Sequence, residues 1–204
     1  MAFVDILKSK LNYIQNHVKS DPPTLITQEI EFGIFEFDLS NDIDASNIVN
    51  KIYQFKKQYP ISNNSNVHAW HSGYDTHKIT DDFINLINVI EQRVNLTTKL
   101  NPYVSDNMLA KVAESWAITY DKDDYTNWHN HGIYNYSAVY YASASEDSAP
   151  LIFKKSKDQL LEIKPKTNKL VIFPGYANHM VPKINNNGKR ICFSANLFLI
   201  EKEK

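Results

Sequence analysis

The sequence predicts an α+β protein, with helices packed on one face of a double-sheet barrel. Three observations carry this. Amphipathic stretches with helical spacing fill much of the first hundred residues. From about Leu109, short runs rich in Val, Ile, Tyr and Phe follow one another, separated by glycine, asparagine and proline. A hydrophobic content of 43% in 204 residues supplies the core of one domain.

In chain order, Phe3, Ile6, Leu7, Leu11 and Ile14 recur at helical spacing, which predicts an amphipathic helix over 1–22 that ends at Pro22-Pro23. Ile30–Leu39 alternates aromatic and acidic residues as a half-buried strand does. Ser40-Asn41-Asp42 is read as the cap of a helix from Ala45 to Lys57, with Ile48, Ile52 and Phe55 on one face. Residues 60–78 are turn-rich and read as a long loop or irregular strand region. Asp81 or Asp82 opens a second helix with a stripe of Phe83, Leu86, Ile87, Ile90 and Val94, ending near Asn101-Pro102. The strand runs are Ala113–Tyr120, Tyr136–Ser143, Ala149–Lys154, Gln159–Lys164, Lys169–Phe173 and Lys189–Leu199. Helices followed by strands give α+β. The whole reads as one domain over 1–204: the N-terminal helix 1–22, a strand and supporting helices over 28–108, and the barrel core with the candidate site over 109–200.

A formal net charge of −1 points to neither nucleic acid nor an anionic membrane. Cys192 is the only cysteine, so no internal disulfide and no thiolate cluster can form. The polar start is no signal peptide or span. These features fit a reducing, cytoplasmic setting.

The run Asn-Trp-His-Asn-His-Gly, 127–132, places His129 and His131 one residue apart although the chain has only 7 histidines. On an extended segment residues i and i+2 share a face, so both imidazoles can aim at one metal ion. A third ligand must come from elsewhere. His179, in VIFPGYANHMVP after a Pro-Gly turn, is the candidate. Imidazole suits iron, zinc, copper and nickel. Arg190 opens the last strand after the Asn185-Asn186-Asn187-Gly188 turn, and its guanidinium offers a bidentate fork for a carboxylate. Ser194, at an even offset from Arg190, faces the same side of a regular strand.

In this order the parts resemble the 2-oxoglutarate- and Fe(II)-dependent oxygenases, whose pattern is His-x-Asp/Glu, a gap, His, then Arg about ten residues on. Within them the chain is similar to a group common in marine bacteria and their phages. The matching segments are WHNHG (128–132), SAVYYA (137–142), VIFPGYANHMVP (171–182) and RICFSANL (190–197), with SNNSNVHAWHS (62–72) upstream. The resemblance covers about residues 30–199. It implies a double-stranded β-helix, a jelly-roll or cupin-like barrel. It also implies a hydroxylase that couples oxidative decarboxylation of 2-oxoglutarate to substrate oxidation with Fe(II) and O2. His129, His131 and His179 would hold the metal, and Arg190, helped by Ser194 or Tyr141, would hold the distal carboxylate of 2-oxoglutarate.

Two departures from the pattern stand out. His131 occupies the place of the usual carboxylate, leaving a site of charge +2 rather than +1. Cys192 stands where related sequences often carry Ser. Asp121, Asp123 and Asp124, just upstream, offer an alternative carboxylate. The departures keep two other readings open: a cupin-like three-histidine dioxygenase that does not use 2-oxoglutarate, and a non-catalytic barrel. Arg190 separates the first of these, which has no need of it. Of Tyr140 and Tyr141 only one can face the barrel, and Tyr141 is favoured. His71 is read as lining the pocket entrance; His17, His68 and His77 are read as non-ligands. Trp116 and Trp128 are read as core or rim residues and Cys192 as a small buried hydrophobe. The loop 60–78 and Asp121–Tyr125 are expected to frame the entrance. The substrate, a small molecule or a protein side chain, has no readable signature, nor has the oligomeric state.

Overall fold

The computed structural model describes residues 24–25, 33–62, 66–101, 104–183 and 188–202. The expected helix over 1–22 and most of the turn before Arg190 lie outside these residues. The strands are β1 (Thr24–Leu25), β2 (Phe35–Asp38), β3 (Val67–His68), β4 (Trp70–His71), β5 (Met108–Tyr120), β6 (Tyr125–His129), β7 (Tyr136–Ala144), β8 (Leu151–Lys154), β9 (Leu160–Ile163), β10 (Lys169–Pro174), β11 (His179–Val181) and β12 (Arg190–Glu201). Helices α1 (Ala45–Gln58) and α2 (Asp81–Leu100) precede the long strands, and a 3-10 turn spans Thr76–Lys78.

Both helices begin where a side chain satisfies orphan backbone N–H groups. The caps differ from those read in the sequence. Asp44, not Ser40–Asp42, accepts from the backbone of Ser46 and Asn47. Thr80, not Asp81 or Asp82, accepts from Phe83 N, and the two aspartates occupy the first turn, where the helix dipole favours them.

The strands form two antiparallel sheets. One has seven strands in the order β1-β2-β10-β7-β12-β5-β4, the other five in the order β3-β6-β11-β8-β9. The architecture is a double-stranded β-helix, with both helices covering the outer face of the larger sheet.

Strand alternation separates two cores. Along β12, Ile191, Phe193, Ala195 and Leu197 pack outward against Ile48, Ile52, Phe83 and Ile90 of the helices. The intervening Arg190, Cys192, Ser194 and Asn196 face the barrel interior. On β7, Tyr140 belongs to the helix-side core and Tyr141 to the inter-sheet core. Burial of the larger aliphatic side chains contributes about 1.5–3 kcal/mol each, and a one-residue register slip would exchange the two sets. No described helix is long and apolar enough to cross a membrane.

Candidate active site

Between the sheets lies a cavity of about 470 Å³. Two neighbouring strands of the larger sheet form its floor, in four rungs. Arg190 pairs with Tyr120, Cys192 with Ile118, Ser194 with Trp116 and Asn196 with Glu114, and all eight residues line the cavity. The smaller sheet and the turn after β6 supply the opposite wall.

That wall carries three imidazoles. His129 ends β6 and pairs in register with His179, the first residue of β11. The two rings lie 4.2 Å apart, and His131 stands 5.1 and 5.2 Å from them. One ligand atom from each of the three lies within 4.8 Å of the others. The two-residue spacing brings the pair together, though not as a continuous strand. The ladder stops at His129, and His131 is set by the backbone. Its N–H donates to Gly175 O at 2.7 Å and its carbonyl accepts from Tyr134 N. An added Cβ at Gly175 would lie 2.0 Å from Tyr134 O and 3.0 Å from His131 O, so glycine is required there by close approach.

Hydrogen bonds orient the rings. His129 Nδ1 faces Asn127 O and His179 Nδ1 faces Ala177 O, each at 2.9 Å. A backbone carbonyl fixes the proton on Nδ1 and leaves Nε2 unprotonated for a metal. His131 Nδ1 lies 3.4 Å from Asn196 Nδ2. Burial lowers the pKa of all three: His131 to about 4, His179 well below the ordinary value, and His129 downward despite its backbone partner. The imidazoles are therefore neutral at pH 7, the form a metal requires.

At the closed end of the cavity sits Arg190, 3% exposed. Its Nη1 donates to Ala149 O at 2.9 Å and its Nε to Cys192 Sγ at 3.1 Å. The rings of Tyr120 and Tyr141 flank it at 4.6 and 5.3 Å. Among the described residues no carboxylate pairs with it. The Tyr141 hydroxyl beside it is fully buried, without a hydrogen-bond partner among the described residues. A buried cation and an orphaned hydroxyl at one spot are what an incoming carboxylate would satisfy. The three neutral, convergent nitrogens likewise fit a divalent transition metal.

The structure brings together His129, His131, His179, Arg190 and Tyr141 in one region. Ser194 lines the same cavity, but Cys192 stands between it and the guanidinium, so the neighbouring group is the thiol. Asp121, Asp123 and Asp124 are not part of the histidine group: Asp121 pairs with Lys56 and Lys189, Asp123 pairs with Lys183, and Asp124 accepts from Asp121 N. Asp121–Tyr125 gives the cavity no lining residue among those described; Asn130–Tyr134 frames the mouth instead. His71 does line it, stacked on Trp116 at 5.7 Å and lowered to about 4 by burial. Trp116 is thus a cavity wall, and Trp128 is exposed at the surface. Sequence reading missed Tyr120, whose hydroxyl is 2.7 Å from Thr126 Oγ1, and also Glu114 and Asn196. Strand alternation back from Tyr120 and on from Arg190 could have found them.

Residues 153–196 match the family model described as "Putative 2OG-Fe(II) oxygenase", a span that includes His179, Arg190 and Ser194 but not His129 or His131. No curated protein matches the chain in sequence. Solved structures match in fold. A prolyl-4-hydroxylase from Pseudomonas putida aligns with TM-score 0.62 at 11% identity, over 86% of this chain and 96% of that one. The viral collagen prolyl hydroxylase of Paramecium Bursaria Chlorella virus-1, in its 2-oxoglutarate complex, aligns with TM-score 0.59 at 13% identity, over 80% and 94%. HygX from Streptomyces hygroscopicus, with nickel and 2-oxoglutarate bound, aligns with TM-score 0.58 at 9% identity, over 83% and 84%. The chain has the double-stranded β-helix fold of the 2OG-Fe(II) oxygenases, and its residues 153–196 carry that family's sequence pattern.

Proposed function

We propose that the chain is an Fe(II)- and 2-oxoglutarate-dependent dioxygenase acting as a hydroxylase in the cytoplasm. The observation that carries this is Arg190: a buried guanidinium without a carboxylate partner among the described residues, at the closed end of the cavity that holds three convergent neutral imidazoles. His129, His131 and His179 would hold the iron. When bound, iron with 2-oxoglutarate and O2 supplies the oxidising chemistry, yielding succinate, CO2 and a hydroxylated product.

The chain's own residues bind, orient and exclude water. Arg190 pairs with the distal carboxylate of 2-oxoglutarate, and the Tyr141 hydroxyl donates to it. Tyr120, Tyr141 and Cys192 keep that end dry, which strengthens the ion pair. Asn127 O and Ala177 O hold the ligand rings. His131 in place of a carboxylate leaves the site one unit more positive, favouring the dianionic cosubstrate.

Aerobic incubation with Fe(II) and 2-oxoglutarate, following succinate, tests the proposal. Metal binding without any succinate would move the assignment to a three-histidine dioxygenase that does not use 2-oxoglutarate.

A further inference from the structure

The cavity is electrically polar along its length. Arg190 marks the closed end; Glu114 lies six residues away along the strand pair, at the open end, about 20 Å at the usual rise per residue. These two are the only arginine and the only acid among its described lining residues, and no lysine lines it. Glu114 is half-buried, and its described polar partners are neutral. Asn196 Nδ2 donates to Oε2 at 3.4 Å, and the Tyr134 hydroxyl is hydrogen-bonded to the carboxylate. Among the described residues no lysine or arginine pairs with it. No described cation therefore compensates the negative charge at the mouth.

Tyr74, Trp116 and Tyr134 line the cavity together with this carboxylate. Tyr74 and Trp116 meet edge to face at 5.5 Å, and Trp116 leans on His131 at 5.8 Å. Asn196 touches both Glu114 and His131. The acid thus lies one side chain away from the histidine group, on the side opposite Arg190. A carboxylate among tyrosine and tryptophan faces suits an ammonium or a guanidinium, through an ion pair and cation–π contact. It repels an anion.

We infer that the substrate carries a cationic nitrogen, an ammonium or guanidinium, which Glu114 holds at the cavity mouth between Tyr74, Trp116 and Tyr134. This rests on the hydroxylase reading above and names its substrate class. With the 2-oxoglutarate pocket at the positive end, opposite charges sort cosubstrate and substrate to opposite sides of the histidines.

The test is titration of the full chain, with and without Mn(II) and 2-oxoglutarate, using two isosteric pairs. Nα-acetyl-lysine methylamide is compared with its 2-aminoheptanoic acid counterpart, in which a methyl replaces the ammonium, and Nα-acetyl-arginine methylamide with its citrulline counterpart. At least one cation should bind about tenfold tighter than its neutral isostere, the ratio expected when a charge-assisted hydrogen bond is gained. Glu114→Gln should bring that ratio close to one. Equal Kd values within both pairs in the wild type overturn the inference, as does failure of both cationic probes to bind. A preference that survives in E114Q overturns it as well. Metal and 2-oxoglutarate titrations of the same preparations report on the histidines and Arg190. The isostere ratio is read on the metal-free chain too, so failure of the hydroxylase reading and failure of this one are distinguishable.

Discussion

The guanidinium of Arg190 lies between the rings of Tyr120 and Tyr141, 4.6 and 5.3 Å from their centres, with no described carboxylate to neutralise it. The aromatic faces offset part of the cost of burying the charge, and the backbone carbonyl of Ala149 takes one N–H. The planar fork has the geometry that pairs with a carboxylate. Removing one partner of a buried charge pair costs about 2–5 kcal/mol. Arg190→Ala should therefore raise the 2-oxoglutarate Kd at least about thirtyfold at unchanged metal stoichiometry. Lysine at this position should rescue poorly, having no planar fork. Equal 2-oxoglutarate affinity in R190A and wild type would remove the pocket from this end of the barrel.

Tyr141 makes a prediction of opposite sign for the empty and loaded protein. Its hydroxyl is fully buried and has no hydrogen-bond partner among the described residues, an arrangement that costs about 1–3 kcal/mol. Tyr141→Phe should raise the thermal midpoint of the ligand-free chain while weakening 2-oxoglutarate binding. A variant that melts lower without ligand shows that the hydroxyl already has a structural partner.

The histidine group gives a third expectation. His179→Ala removes the only member that is fully buried and lies in register with His129; stoichiometric metal binding should be lost. His131→Asp should still bind metal, because a carboxylate is an accepted donor for these ions. It should bind 2-oxoglutarate more weakly than wild type, since the site loses one unit of positive charge. Retention of full metal occupancy in H179A, measured by elemental analysis after gel filtration, would take His179 out of the site.

Much of this arrangement was legible in the sequence, for physical reasons that differ by element. The long strands and both described helices announce themselves because their apolar periods of 2 and 3.6 are sustained. The strand Tyr125–His129 shows no such period, since its burial is shallow and its residues polar. His179–Val181 is too short for any period to show. The histidine pair and Arg190 stood out because of residue chemistry at a fixed spacing. Glu114 did not, because its cross-strand partner, Asn196, is 82 residues away in sequence and adjacent only through strand pairing. The cap of α1 lies two residues past the expected Ser40–Asp42, because three consecutive capping types precede Asp44.

Acid sensitivity follows from the buried imidazoles. His71 and His131 both fall to about 4 in the fold, from an ordinary 6.5. Between these values the unfolded chain binds more protons than the folded one, so stability falls as pH falls. Their stabilisation is fully present above pH 6.5 and is lost progressively towards pH 4, by at most about 1.4 kcal/mol per pH unit for each group. Denaturant titrations of the metal-free chain from pH 7 to 4.5 should show this slope, and His71→Gln should reduce it. A flat profile over that window would mean that both rings reach water.

Gly175 links backbone geometry to the metal site most directly. Its carbonyl accepts from His131 N at 2.7 Å and its own N–H donates to Asn135 O at 3.1 Å. The β6–β7 turn is thereby held against the turn after β10. An alanine methyl would lie 2.0 Å from Tyr134 O, a backbone atom that cannot rotate away. The two turns must then separate, which lengthens the bond that seats His131. Gly175→Ala should cost about 1–3 kcal/mol of stability, as overpacking in a tight contact does. The histidine displacement should separate this from a general packing loss: metal affinity should fall at least tenfold under conditions where circular dichroism shows the variant folded. As a control, Gly73→Ala, where an added Cβ meets nothing within 4 Å, should leave metal affinity unchanged. Wild-type metal affinity in folded G175A would show that His131 does not depend on this backbone contact for its position.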